Sequence, residues 1–133
     1  MSAAVLDTHV AIWYLNDSGR LSPAASAAID AAEASALPLY VPTICLVEMT
    51  YLQERSRIPI DAMKRLRSAV DEPNASLVLA PLTRDVADAV ALVPRDDVPD
   101  MPDRVIAATA ISLDVPLITR DGRIRASTIR TIW

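Results

Sequence analysis

Four carboxylates, Asp7, Glu48, Asp103 and Asp121, are the side chains of this sequence best suited to chemistry. Each falls where the sequence predicts the end of a strand or the inner face of a helix. They are far apart along the chain, so only a fold can bring them together. Four negative charges in one small volume cannot all stay ionised without a cation. The cation that suits oxygen-only donors is a hard divalent ion such as Mg²⁺ or Mn²⁺. Sites of that kind carry out phosphoryl transfer, which points to a metal-dependent nuclease.

Taken singly, three of the four have ordinary roles. Asp7 suits the N-cap of a helix opening at Thr8. Asp121 precedes Gly122, a common turn pair. Asp103 follows Pro102 in a first helical turn, where the helix dipole stabilises a negative charge by roughly 0.3–1 kcal/mol. Glu48 is harder to dismiss. In ICLVEMTYL it shares a helix face with Ile44, Tyr51 and Leu52. A buried carboxylate there needs a partner or a proton; Arg55 folding back is one solution and a metal is another. Thr119, two residues before Asp121, offers a hydroxyl to a metal-bound water or a phosphate oxygen, and is otherwise an ordinary strand residue. Asp100 either supports the site through a water or caps the helix that carries Asp103.

The elements that must position these groups alternate. AAVL, LYV (39–41), SLVLA (76–80) and PLIT (116–119) are short apolar runs predicted as strands, and TIRTIW as a closing edge strand. THVAIWYLN has helical spacing. Ser22-Pro23 starts an Ala-rich helix to about Ser35. Further helices are predicted from Thr43 through about Arg55, from Ile60 to Asp71, from Thr83 through Val93, and from Asp103 to Leu113. A proline-rich acidic loop, PRDDVPDMP, precedes the last of these. The pattern indicates a single domain over residues 1–133, a three-layer α/β/α sandwich with a mostly parallel central sheet. Ligands bind such sheets beyond the carboxyl ends of the strands, where Asp7 and Asp121 both project.

Composition narrows the chemistry. Cys45 and His9 are the only cysteine and histidine, which excludes a disulfide within the chain, a thiolate or His-rich zinc site, and a ribonuclease working with paired imidazoles. Nothing has the length of a membrane span or the pattern of a signal peptide, so a cytoplasmic protein is expected. The net charge is −4, yet Lys64 is the only lysine among 13 basic residues. Arginine suits bidentate phosphate contacts. Arg104, Arg120 and Arg123 flank the acidic positions and are candidates for phosphate contact, with surface solvation as the plain alternative. Receiver domains share a strand-end Asp but need a Lys at a later strand end, whereas Lys64 lies in a helix. Aspartyl phosphatases need a second Asp where this chain has His9. A flap nuclease needs an arch for which the chain is short.

LDTHVAIWYL, PTICLVEMTYLQERSRI, DMPDRVIAATA and PLITRDGRI, with a terminal IW, together resemble the PIN-domain ribonucleases over essentially the whole chain. Within them the chain is similar to the VapC-type toxins of bacterial toxin–antitoxin pairs. The resemblance implies that Asp7, Glu48, Asp103 and Asp121 form the acidic metal-binding set. It places Thr119 as the Ser/Thr beside the last aspartate, and Thr8 in its usual place after the first. It implies an endoribonuclease using Mg²⁺ or Mn²⁺, acting on tRNA, rRNA or mRNA, and leaving 5′-phosphate and 3′-hydroxyl ends. It also implies a homodimer held inactive by a cognate antitoxin. A non-toxin PIN nuclease in RNA processing, or a PIN-fold scaffold without catalysis, is the alternative. Trp13, Tyr14, Tyr51 and Leu52 are candidates for a protein interface, though burial frequencies favour core positions.

Overall fold

The computed structural model of the chain describes residues 2–133. Five strands, β1 (Ala4–Leu6), β2 (Leu39–Pro42), β3 (Leu77–Ala80), β4 (Leu117–Ile118) and β5 (Thr131–Ile132), form one sheet in the order β3-β2-β1-β4-β5. Every neighbouring pair is parallel, so the expectation of a mostly parallel sheet is met in full. In a strand, successive side chains point to opposite faces. All three residues of β1 and both of β4 are nonetheless buried, at 2% exposure or less. Both faces of the sheet centre are therefore covered, which is why these strands are uniformly apolar rather than alternating.

Parallel strands need long crossovers. These are supplied by α1 (Thr8–Leu15), α2 (Pro23–Ala34), α3 (Ile44–Glu54), α4 (Ala62–Asp71), α5 (Arg84–Ala89), α6 (Met101–Leu113) and α7 (Gly122–Arg125). The result is an α/β sandwich. Leu6, Leu39, Ile106, Leu117 and Ile118 are completely buried at its centre, each contributing about 1.5–3 kcal/mol relative to an exposed position.

Local signals set most boundaries. The Ser22 hydroxyl accepts from the Ala25 N–H at 3.0 Å, and the Thr83 hydroxyl from Val86 at 3.3 Å, as N-caps should. Thr43 departs from expectation: it has helical dihedrals and makes no capping bond. The helix predicted through Val93 ends at Ala89 and continues as a 3₁₀ turn over Val90–Leu92. Val93 is extended because Pro94 follows it. Asp100 caps α6, so that helix begins at Met101 rather than Asp103. The expected turn at Asp121-Gly122 is the start of α7: Asp121 Oδ1 accepts from the Arg123 and Ile124 N–H groups.

Four helices close on a left-handed residue that is not glycine: Asp17, Ala36, Ser56 and Asp114, with φ of 50–54°. After α3, the Ser56 N–H bonds Gln53 O and the Arg57 N–H bonds Leu52 O at 2.8 Å, a Schellman closure. The chain runs from β1 outward through β2 and β3, then crosses back to β4 and β5 on the other side. The order therefore reverses between β1 and β4, and a crevice opens at their carboxyl ends.

Candidate functional site

Asp7 leaves the end of β1, and Thr119 and Asp121 follow β4, so all three stand at that reversal. Glu48 comes in from α3, and Asp100 and Asp103 from the start of α6. Asp7, Glu48, Asp100, Asp103 and Asp121 line one cavity of about 290 Å³, together with Thr8, His9, Trp13 and Arg120. The four carboxylates singled out in the sequence thus share one pocket, and Asp100 joins them.

Two threonines organise one side of it. The Thr119 hydroxyl, fully buried, donates to Asp7 Oδ2 at 2.6 Å and accepts from the Asp121 N–H at 3.0 Å. It ties the end of β1 to the segment after β4. The Thr8 hydroxyl donates to Glu48 Oε1 at 2.7 Å, while the Thr8 N–H donates to Asp7 Oδ1 at 2.6 Å. Asp7 is therefore both cap and site residue. Thr119 is engaged with two acidic residues, where the sequence suggested a contact to water or phosphate.

Electrostatics follow from crowding and burial. Desolvation raises the Asp7 carboxyl above its ordinary value, opposed by the Thr119 and Thr8 hydrogen bonds. Glu48 is raised for the same reason, opposed by the Thr8 hydroxyl. Asp103 is pushed up to about 7 by desolvation first, then by Asp100, Asp7, Asp121 and Glu48. Asp100 caps α6 by accepting from the Asp103 N–H at 3.1 Å, which fixes one carboxylate beside the next.

No ion pair relieves this charge. The three pairs among the described residues, Arg65–Asp61, Arg84–Asp88 and Arg130–Asp114, all lie outside the cavity. Arg120 lines it, with its guanidinium 4.7 Å from the centroid of Trp13. As the side chains stand, no three His, Cys, Asp or Glu among the described residues are arranged to hold a metal ion. The donor set nonetheless suits a hard cation. It consists of oxygen donors, three of them with raised affinity for positive charge and none held in an ion pair among the described residues.

The arginine candidates separate. Arg104 turns away from the pocket: its Nε donates to Val93 O at 3.2 Å and its Nη2 to Val90 O and Val93 O at 3.0 and 2.8 Å. This replaces the phosphate role expected from sequence, because the Val90 and Val93 carbonyls, in the turn where α5 unwinds, claim the guanidinium. Arg123 lies exposed in α7, outside the pocket lining. Trp13 is 6% exposed, as a core reading expects, but it also lines the pocket. Tyr51, by contrast, is 57% exposed and is no core residue. His9, taken from sequence only as an exclusion, faces the site. Its signal was its position two residues after Asp7 on the helix that Asp7 caps.

A family model described as PIN domain matches residues 4–128. Ribonuclease VapC22 of Mycobacterium tuberculosis is 34% identical over 128 residues, covering 95% of this chain and 92% of that protein. The solved structure of VapBC2 from Rickettsia felis bound to a promoter DNA fragment superposes with a TM-score of 0.69 at 15% identity, covering 97% of this chain and 96% of that one. A toxin–antitoxin complex from Klebsiella pneumoniae gives 0.63 at 23% identity, covering 98% and 97%. The fold, the reversal point with its acidic cavity and the family match agree: the chain belongs to the PIN domain family.

Proposed function

We propose that this protein is a metal-dependent endoribonuclease and the toxin of a toxin–antitoxin pair. The observation that carries the proposal is the convergence of Asp7, Glu48, Asp103 and Asp121 on one cavity, none of them held in an ion pair among the described residues. The kinship with a ribonuclease selects the substrate class.

Asp7, Glu48, Asp103 and Asp121 would hold Mg²⁺ or Mn²⁺. When bound, the ion supplies Lewis acidity, which lowers the pKa of water and neutralises charge developing at a phosphate. The Thr119 and Thr8 hydroxyls keep Asp7 and Glu48 oriented, a supporting role worth 10–100-fold in comparable sites by rough estimate. Asp103, raised to about 7, is divided between its protonated and ionised forms near neutral pH, and a bound cation would favour the ionised form. Arg120 lines the cavity, and in this reading it would meet a backbone phosphate. Water is the nucleophile in this reading, so the products carry 5′-phosphate and 3′-hydroxyl ends.

A peptide partner also has support. Val47, Tyr51 and Met101 are exposed apolar residues lining a groove of about 370 Å³. Glu48 lines both that groove and the acidic cavity. An antitoxin segment lying there would reach the carboxylates. A homodimer belongs to the same reading, and sedimentation of the purified chain tests it.

The test is induced expression of the wild type and Asp7→Asn, followed by mapping of new 5′-phosphate RNA ends. New ends with the wild type only are the expected result. Identical maps in RNA from the source organism, with both proteins soluble, would leave the PIN-fold scaffold as the function.

A further inference from the structure

Beside the acidic cavity lies a second one of about 380 Å³, and the two share His9 and Trp13. Its near wall is a stripe of α1. His9, Ile12, Trp13 and Asn16 stand at i, i+3, i+4 and i+7 and so occupy one helix face. Its far wall is the connection from α3 to α4, which the left-handed Ser56 turns so that Ser56 and Arg57 line the cavity. Arg20, from the connection after α1, completes it.

The chemistry of this cavity is the reverse of its neighbour's. No carboxylate lines it, whereas five line the acidic cavity. Arg20 and Arg57 are exposed, and neither makes an ion pair among the described residues. Arg65 donates to Asn16 Oδ1 at 3.2 Å, which occupies that acceptor and leaves the Asn16 amide nitrogen as a donor. His9 is exposed, its ring 5.8 Å from Trp13 and tilted by 43°. Arg20 lies 5.9 Å from the Trp13 centroid. Two unpaired guanidinium groups, an amide donor and an exposed aromatic ring suit a ligand that is anionic along its length and has flat faces. Single-stranded nucleic acid is such a ligand: phosphates meet cations and bases stack on rings. A volume of this size lies within the range of small-ligand sites, roughly 300–1,000 Å³.

We propose that the cavity between α1 and the α3–α4 connection is a nucleotide subsite for single-stranded RNA, in which Arg20 and Arg57 hold backbone phosphate and His9 stacks on a base. The inference rests on the ribonuclease reading and adds where the strand runs. From the acidic cavity, the RNA continues past Trp13 toward Arg57, so the nucleotide adjoining the cleaved bond lies on the α1 stripe.

Arg20 and Arg57 do not line the acidic cavity, so Arg20→Ala/Arg57→Ala tests the subsite separately from the cleavage site. The probe is a labelled random-sequence RNA of twelve nucleotides, bound at low salt to each protein in an Asp7→Asn background. We expect the double variant to bind about tenfold more weakly, the equivalent of one charge-assisted hydrogen bond. The slope of log K against log salt should flatten by about 1.4, the value for two lost single-strand phosphate contacts. With Asp7 restored, cleavage should show a raised KM and an unchanged kcat. Unchanged affinity and salt slope, with the Asp7→Asn protein still binding RNA, overturn the subsite and leave the ribonuclease reading standing. Failure of the wild type to bind or cut any RNA overturns both. His9→Ala sharpens the result: weaker binding at an unchanged salt slope marks stacking, whereas no change in affinity overturns the base contact.

Discussion

Asp7 and Glu48, on the β1–α3 side of the acidic cavity, each accept a hydrogen bond from a threonine hydroxyl buried to 2% exposure or less. Asp103, on the α6 side, accepts none among the described residues, and its carboxyl is pushed up to about 7 by desolvation first and by Asp100 next. The braced side is held in place by the fold itself. The unbraced side keeps its charge repulsion until something positive arrives. The difference teaches that a site of this kind is half preorganised: one side sets position, and the other supplies the electrostatic demand that the proposed cation would meet.

The largest expected effect comes from removing a carboxylate on either side. Asp7→Asn and Asp103→Asn should each lower RNA cleavage by at least about 10³-fold, since groups acting as a unit lose most of their effect together. Circular dichroism should show both folds intact, and calorimetry with Mn²⁺ should show weaker binding in each. Cleavage retained in both variants would remove the basis for treating the two sides as one site.

Thr119→Val breaks the brace alone. It takes the hydrogen bond from Asp7 and leaves the Asp121 N–H without its acceptor. Activity should fall roughly 10–100-fold, as for other supporting groups of metal ligands. A loss as deep as that of Asp7→Asn would show that the hydroxyl takes part in the reaction directly.

The fold was largely legible in the sequence where its causes are local. The apolar runs before Asp7 and around residues 39–41 and 76–80 are strands, and Ser22 and Thr83 cap helices as their types suggest. The four acidic positions were legible as well, because Asp7, Asp103 and Asp121 sit at element ends and Glu48 on the inner face of a helix. What was hidden depends on partners distant in sequence or on competition between neighbours. Thr119 is bonded to a residue 112 positions away. Arg104 is claimed by the Val90 and Val93 carbonyls, in the turn where α5 unwinds ahead of Pro94. The cavity shared by His9 and Trp13 needs α1 and the α3–α4 connection side by side, which no periodicity encodes.

Arg104 offers a smaller perturbation of the unbraced side. It anchors the start of α6 to the preceding 3₁₀ turn through three hydrogen bonds. Arg104→Met should lower unfolding free energy by about 1–3 kcal/mol through the Val93 carbonyl, which loses both its bonds while Val90 O keeps the Val93 N–H, measured by urea denaturation. Activity should fall less than in Thr119→Val. A fall in activity with unchanged stability would return Arg104 to the list of RNA contacts.

The mildest probe is pH. Asp103 has a raised carboxyl in the fold, so folding favours its protonated form. The penalty is absent below the unfolded value of 3.8, grows as pH rises, and is complete above about 7. Metal-free protein should therefore gain stability from this group as pH falls from 8 to 5, with Asp7 and Glu48 acting in the same direction. Thermal melts in EDTA check the trend, which Asp103→Asn should flatten and Mn²⁺ should oppose at pH 8. Identical melts for wild type and Asp103→Asn across that range would mean that both sides are equally relaxed.

The bond from Thr119 to Asp7 also has a consequence in time. It closes a loop of 112 residues, which costs on the order of 4 kcal/mol in chain entropy. That cost is recovered only when β4 slots in beside β1. During synthesis, a ribosome releases Asp7 and Glu48 well before Thr119 and Asp121, and Asp103 shortly before them. A nascent chain therefore carries most of its acidic residues but not the hydroxyl that aligns Asp7, nor the last carboxylate. A site built in this order is incomplete until residues 119–121 have been made and seated beside β1.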